Sequence, residues 1–166
     1  MTVNITFSAT AAGYSMTDTQ NSGSVTPSAD PESDETTIYI RHDAQYAPIT
    51  DCGWYLERCV SQSIDLDDPD AVLEEVLGWG ETAGFGFLMN QEGEGTAAFE
   101  SFEAASGSIT NPKMLPKSAV TTGTPVNDGE IPVDGEAKVS VKWKVPEDAT
   151  AGNRGVTLVF AYSATS

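Results

Sequence analysis

The sequence predicts a mainly β protein: a single antiparallel β-sandwich with one short helix and long polar loops. Three observations carry that expectation. Ala137, Val139, Val141, Trp143 and Val145 fall on alternate positions, with Lys138, Ser140, Lys142 and Lys144 between them. This is the two-residue period of a half-buried strand. Val156, Leu158, Phe160 and Tyr162 repeat the alternation against Thr157, Val159, Ala161 and Ser163. Finally, fifteen Gly, nine Pro and abundant Ser and Thr suit short strands and turns better than a helical bundle. Pro146 closes the first strand, because it has no N–H for a ladder bond, and 147–155 supplies turn chemistry. The two strands are therefore expected to pair with each other as an antiparallel hairpin, with Val139, Val141, Trp143, Leu158, Phe160 and Tyr162 facing inward.

The remaining elements follow in chain order. Val3, Ile5 and Phe7 alternate with Asn4, Thr6 and Ser8 and predict a short first strand. Residues 13–36 are polar and predict a long loop, which has too little apolar surface to offset its ordering entropy. Residues 37–42 and 49–60 are rich in β-branched and aromatic side chains and predict two strands. Tyr46, Trp54, Tyr55 and Trp79 are the expected aromatic anchors of a core or an interface. Helix chemistry is clearest at 68–78. Asp68 suits the N-cap, Pro69 the first helical position and Asp70 the positive end of the dipole. Val72, Leu73, Val76 and Leu77 give this helix one apolar face, and Gly78 and Gly80 are expected to end it. It is too short to be stable alone, so it must pack on the sheet. Residues 84–89 predict a strand whose glycines mark a bulge or a close backbone approach. From 90 to 135 the pattern is lost in glycine, proline and acidic residues, and a second long loop is expected, with Met114, Leu115, Val120 and Val126 marking a further strand.

At 166 residues, the chain suits one domain spanning 1–166. The formal charge of −17, with only eight Lys and Arg, argues against binding nucleic acid or an anionic membrane. Such a charge serves solubility, in a salt-rich medium or at high local protein concentration. No apolar run is long enough to span a membrane, and the first residues lack a basic segment followed by a long apolar one, so export is not expected. Cys52 and Cys59 on one extended strand would lie about 23 Å apart. A disulfide needs Cα atoms within about 7 Å, so two reduced, buried cysteines are expected.

Asp65, Asp67, Asp68 and Asp70 offer carboxylates for calcium, but an EF-hand loop counted from Asp65 needs Gly where Asp70 stands and Glu where Val76 stands. An acidic helix start explains the cluster. Residues 93–98 carry the letters of a dinucleotide-binding loop without its βαβ setting, and Glu94 would repel a pyrophosphate. His42 is the sole histidine, so any nucleophile–histidine mechanism must pass through it, yet no Gly-x-Ser-x-Gly elbow or cysteine signature accompanies it. No catalytic residue, metal site or cofactor is expected. Lys138, Lys142 and Lys144 share the outward face of one strand in a chain with five lysines. That stripe either meets an acidic patch on a neighbouring copy or protects an edge strand from aggregation.

Residues 143–152, Trp-Lys-Val-Pro-Glu-Asp-Ala-Thr-Ala-Gly, followed by Val156-Thr157-Leu158-Val159-Phe160, resemble the last hairpin of immunoglobulin-like β-sandwich modules. The helix inserted between strands and the Trp79-Gly80 turn depart from a plain module of that type, so an elaborated sandwich or jelly-roll is what the resemblance implies. More broadly, a short, cysteine-poor, acidic β domain with long polar loops resembles structural proteins of tailed viruses of bacteria or archaea. That likeness implies a virion protein made in the host cytoplasm, without enzymatic activity, in a capsid-decoration, neck, tail or baseplate position. Its expected partners are other copies of itself and other virion proteins. The expected contact residues are Trp79, Phe85 and Phe87, with Lys138, Lys142 and Lys144 and the polar loop beside them. The competing expectation is a carbohydrate- or receptor-binding module whose aromatics stack on sugar rings.

Overall fold

The computed structural model describes residues 5–8, 24–27, 31–43, 47–60, 64–91 and 98–164. Its elements are β1 (Ile5–Ser8), β2 (Thr36–His42), β3 (Ile49–Arg58), α1 (Pro69–Gly80), β4 (Gly86–Gln91), β5 (Glu100–Ser101), β6 (Lys113–Met114), β7 (Val120–Thr122), β8 (Glu136–Lys144) and β9 (Val156–Ala164). One sheet runs β1-β2-β8-β4-β5, with β7 beside the start of β8, and the other runs β6-β3-β9. Every pairing is antiparallel, and the two sheets form a β-sandwich, as the composition and alternation predict.

β8 is the central strand. Val139 lies between Ile38 of β2 and Gln91 of β4, and Val141 lies opposite Met89. Ile38, Ile40, Val139, Val141, Phe87 and Met89 of this sheet pack with Cys52, Trp54 and Leu56 of β3 in one core. Burying each large apolar side chain contributes about 1.5–3 kcal/mol, which is why the period-two pattern fixes which face turns inward.

α1 closes the end of the sandwich where β4 and β9 begin. Asp68 Oδ1 accepts hydrogen bonds from the backbone N–H of Asp70 and Ala71 at 3.2 and 3.1 Å, the N-cap that the sequence predicts. Val76 is fully buried, and Val72, Leu73 and Leu77 pack against the core. The helix continues two residues past Gly78 to Gly80, because Gly80 lets its backbone lie directly on the Phe102 carbonyl. Gly86 has φ +83°, and a Cβ there would stand 2.9 Å from the Val76 carbonyl oxygen. This is the close approach expected of the 84–89 glycines.

Several expectations are corrected. β8 and β9 do not pair with each other. They belong to different sheets, and residues 145–155 cross between the layers. Val145 N–H donates to Pro31 O, and Arg154 grips Glu75 of α1, so both ends of the crossover are held apart while β9 pairs with β3. β8 is therefore no edge strand, and its lysines do not serve as edge protection. Tyr162 is exposed and Trp143 is half-buried, so the inward row thins at its ends. Residues 98–135 are not a featureless loop. They contribute β5, β6, β7 and the fully buried Phe102, Leu115 and Ile131. Val126 belongs to no strand and is exposed. The polar stretch ends in residues that dock on β8, where Ser33 N–H donates to Trp143 O and Ser33 Oγ accepts from Trp143 N–H at 2.9 Å. Most of that stretch, together with Val3, Tyr46 and residues 93–97, lies outside the described residues.

Candidate interaction site

Three of the expected contact residues meet on the outer face of the larger sheet. Lys142 and Lys144 project from β8 on the same side, two residues apart, and Glu32 reaches both, at 2.7 and 3.1 Å. The hydrogen bonds from Lys142 and then Lys144 hold the Glu32 carboxyl below its usual range. The Lys142 ammonium lies 4.5 Å from the centroid of the Phe99 ring, and that of Lys144 lies 5.4 Å from that of Phe85. The result is a row of Phe85, Lys144, Glu32, Lys142 and Phe99. One carboxylate shared by two ammonium groups leaves this row with a positive excess on an acidic body. Lys138 shares the face farther along β8, opposite Tyr39. Trp79 lies elsewhere, at the end of α1, with the Arg154 guanidinium 5.6 Å from its ring centroid. Arg154 binds Glu75 through two nitrogens, at 2.6 and 3.0 Å. Phe87 is a core residue, packed edge-on to Phe102 and Trp143 at 5.5 and 5.2 Å, so it presents no surface to a partner.

A second feature lies on the flank formed by β1 and β9, the outermost strands of their sheets on one side. Phe7 of β1 meets Phe160 of β9 edge-on at 6.0 Å and Trp54 of β3 at 6.4 Å. Phe160 in turn packs on Trp54 at 4.7 Å and stacks with Tyr162 at 6.1 Å. The array runs from buried Trp54 to Phe7 and Tyr162, which are 36% and 41% exposed. No residue of β9 is fully buried. Sequence reasoning names Trp54 as an anchor but misses Phe7 and the docking of Glu32 and Phe99, because these contacts join residues far apart in the chain.

The titratable groups best suited to chemistry are sequestered. His42 is fully buried, and its Nδ1 lies 3.1 Å from Pro132 O, with no nucleophile among the described residues in its hydrogen bonding. Cys52 and Cys59 are free, buried thiols, and burial pushes the Cys52 thiol up to about 12. Lys113 is 8% exposed and pairs with Glu100 at 3.1 Å, at the rim of an open hollow that also includes Phe99, Glu81 and Glu103. Among the described residues no group of three His, Cys, Asp or Glu is placed to hold a metal ion. Among them, also, no helix is long and apolar enough to cross a membrane. Comparison with known proteins finds no family model, no curated protein and no solved structure that matches this chain. Its function must therefore be argued from its own surface.

Proposed function

We propose that this protein is a non-enzymatic structural subunit of a virus particle, a β-sandwich that self-associates and attaches to the capsid, neck, tail or baseplate. The observation that carries this reading is the distribution of charge. The chain has a net charge of −17, yet Met1–Thr17 and Gly155–Ser166 contain no charged side chain. The strands these two stretches supply, β1 and β9, lie on the same flank and touch through Phe7 and Phe160. A charge-free aromatic flank on a strongly acidic body is where copies of the chain meet with least mutual repulsion. The Phe85–Lys144–Glu32–Lys142–Phe99 row, on a different face, offers a positive surface to an acidic second partner. The viral assignment is supported by the resemblance in size, acidity and loop-rich β architecture.

Light scattering coupled to size exclusion, at low and high salt, tests the assembly half of the proposal. Oligomers that strengthen with salt are expected, because screening removes the repulsion between acidic bodies. A strict monomer that binds a glycan array would overturn it in favour of sugar recognition. Mass spectrometry of purified particles tests the viral half, with multiple copies per particle expected. Its absence from them contradicts that half.

A further inference from the structure

Building on the self-association proposed above, we infer that two copies join through the free edge of β9, which pairs antiparallel with β9 of a second copy about a two-fold axis centred on Phe160. β9 is nine residues long, about 30 Å of strand, and pairs with β3 on one side only. Among the described residues no strand lies along its other edge. Leu56 N–H donates to Gly107 O, and Ile49 exchanges both backbone bonds with Ile131. Leu56 and Ile49 therefore turn their backbone groups away from β9. Their partners across the ladder, Leu158 and Ala164, must direct N–H and C=O to the open edge. By the alternation of an antiparallel ladder, Val156, Phe160 and Tyr162 do the same. This row of backbone groups, which no strand among the described residues pairs, is a template for another strand.

This edge is also poorly guarded. Natural edge strands are protected by Lys, Pro, bulges or short length. β9 has no charge, no proline and full length. Its one irregularity in pairing, between Thr50 and Gly53, lies on β3. In a chain with 33 charged residues (8 + 25), an edge left so bare points to a strand that is covered in the working assembly.

The sequence of β9 itself selects a second copy as the occupant. β9 reads nearly the same in both directions about Phe160. An antiparallel pair centred there sets Leu158 opposite Tyr162, Val159 opposite Ala161 and Thr157 opposite Ser163 of the second copy. Apolar meets apolar on both faces, and hydroxyl meets hydroxyl, the cross-strand pairs that favour sheets. The pairing is isologous, as a two-fold axis requires, and it continues the three-stranded sheet of each copy into one sheet of six. It also brings Phe160 and the exposed Tyr162 of both copies onto one face, beside each Phe7, and so covers the open end of the aromatic array.

Sedimentation velocity over a concentration series, on the full chain, tests the join. Val159→Lys places a charge on the solvent face of β9, and Val159→Thr is its size-matched control. Wild type and V159T are expected to form dimers or larger even-numbered species, with V159K associating about tenfold or more weakly, roughly 1.4 kcal/mol, and circular dichroism unchanged. A second measurement keeps the idea exposed if V159K fails to fold. Thr157 and Ser163 of opposed copies form a non-hydrogen-bonded pair, with Cα atoms about 4.5 Å apart, within disulfide reach. Mixing T157C chains with S163C chains under mild oxidation should give a cross-linked dimer that neither variant forms alone. If no cross-link forms, or folded V159K associates like wild type while the multimer persists, the β9 join is wrong and the copies meet elsewhere. If wild type is a monomer at every concentration and salt, both the join and the self-association proposal fall.

Discussion

Two glycines in the last turn of α1 give opposite predictions for one chemical change, the addition of a methyl group. Gly78 is exposed, and a Cβ added to it meets nothing within 4 Å. Glycine inside a helix costs about 0.5–1 kcal/mol relative to alanine, because the unfolded chain has more freedom to lose. Gly78→Ala should therefore stabilise the fold by that amount and raise Tm by about 1–4 °C for a chain of this length. Gly80 is buried, and the same methyl group would land on the Phe102 carbonyl, with its carbon only 2.8 Å away. That backbone cannot yield freely, since Phe102 N–H donates to Phe87 O at 3.0 Å and its ring is fully buried against Phe87. Overpacking of this kind costs about 1–3 kcal/mol, which exceeds the helix-propensity gain. Gly80→Ala should lower Tm, by up to about 10 °C. Calorimetry or thermal circular dichroism on the two variants is the assay. If both shift Tm in the same direction, the docking of the helix end on β5 and its neighbours is wrong.

Two further predictions concern the titrating groups. Cys52 and Cys59 are buried and free, so iodoacetamide at pH 8 should leave both unmodified in the native protein and label both after unfolding. The Cys52 thiol is raised in the fold from 9.0 to about 12, so its contribution to stability is complete below about pH 9. It is lost as the pH climbs toward 12, by at most about 1.4 kcal/mol per unit. Cys52→Ala should flatten that alkaline slope in urea titrations, and an unchanged slope would refute the assignment. Glu32 behaves in the opposite sense. Its folded carboxyl titrates below the usual 4.5, so the stability it contributes is present above that pH and lost as the pH falls through the folded value. Glu32 is 41% exposed, so the effect should be under about 1 kcal/mol and should shrink in high salt. The difference in urea midpoint between wild type and Glu32→Gln should vanish in acid, and a difference that persists there would contradict the bridge.

Much of the local structure is legible in the sequence, and much of the pairing is not. The alternation at 137–145 and 156–162 identifies two strands because a half-buried strand allows little else. The same alternation carries no information about which strand lies alongside. An eleven-residue connection with Pro146 near its start serves a hairpin or a crossover between layers equally well, so β8 and β9 read as partners when they are not. The Asp68-Pro69 start of α1 is legible because capping is chemistry between near neighbours. Phe102, Leu115 and Ile131 are buried singly between turns, and one apolar residue has no period to detect. In the surface row the common face of Lys142 and Lys144 is legible from their spacing. Glu32, 110 residues from Lys142 in sequence, is not, because only the folded chain brings it there. The free edge of β9 is likewise a property of the sheet, invisible until β3 is known to occupy its other side.

Hydrogen exchange read residue by residue along β9, at low and high protein concentration, probes the assembly most directly. The amides of Thr157, Val159 and Ala161 point to β3 and should be protected at both concentrations. Those of Leu158, Phe160 and Tyr162 should exchange freely in dilute protein and become protected as concentration rises. Alternate amides that stay fast in a demonstrated oligomer would mean that β9 is not where the copies meet.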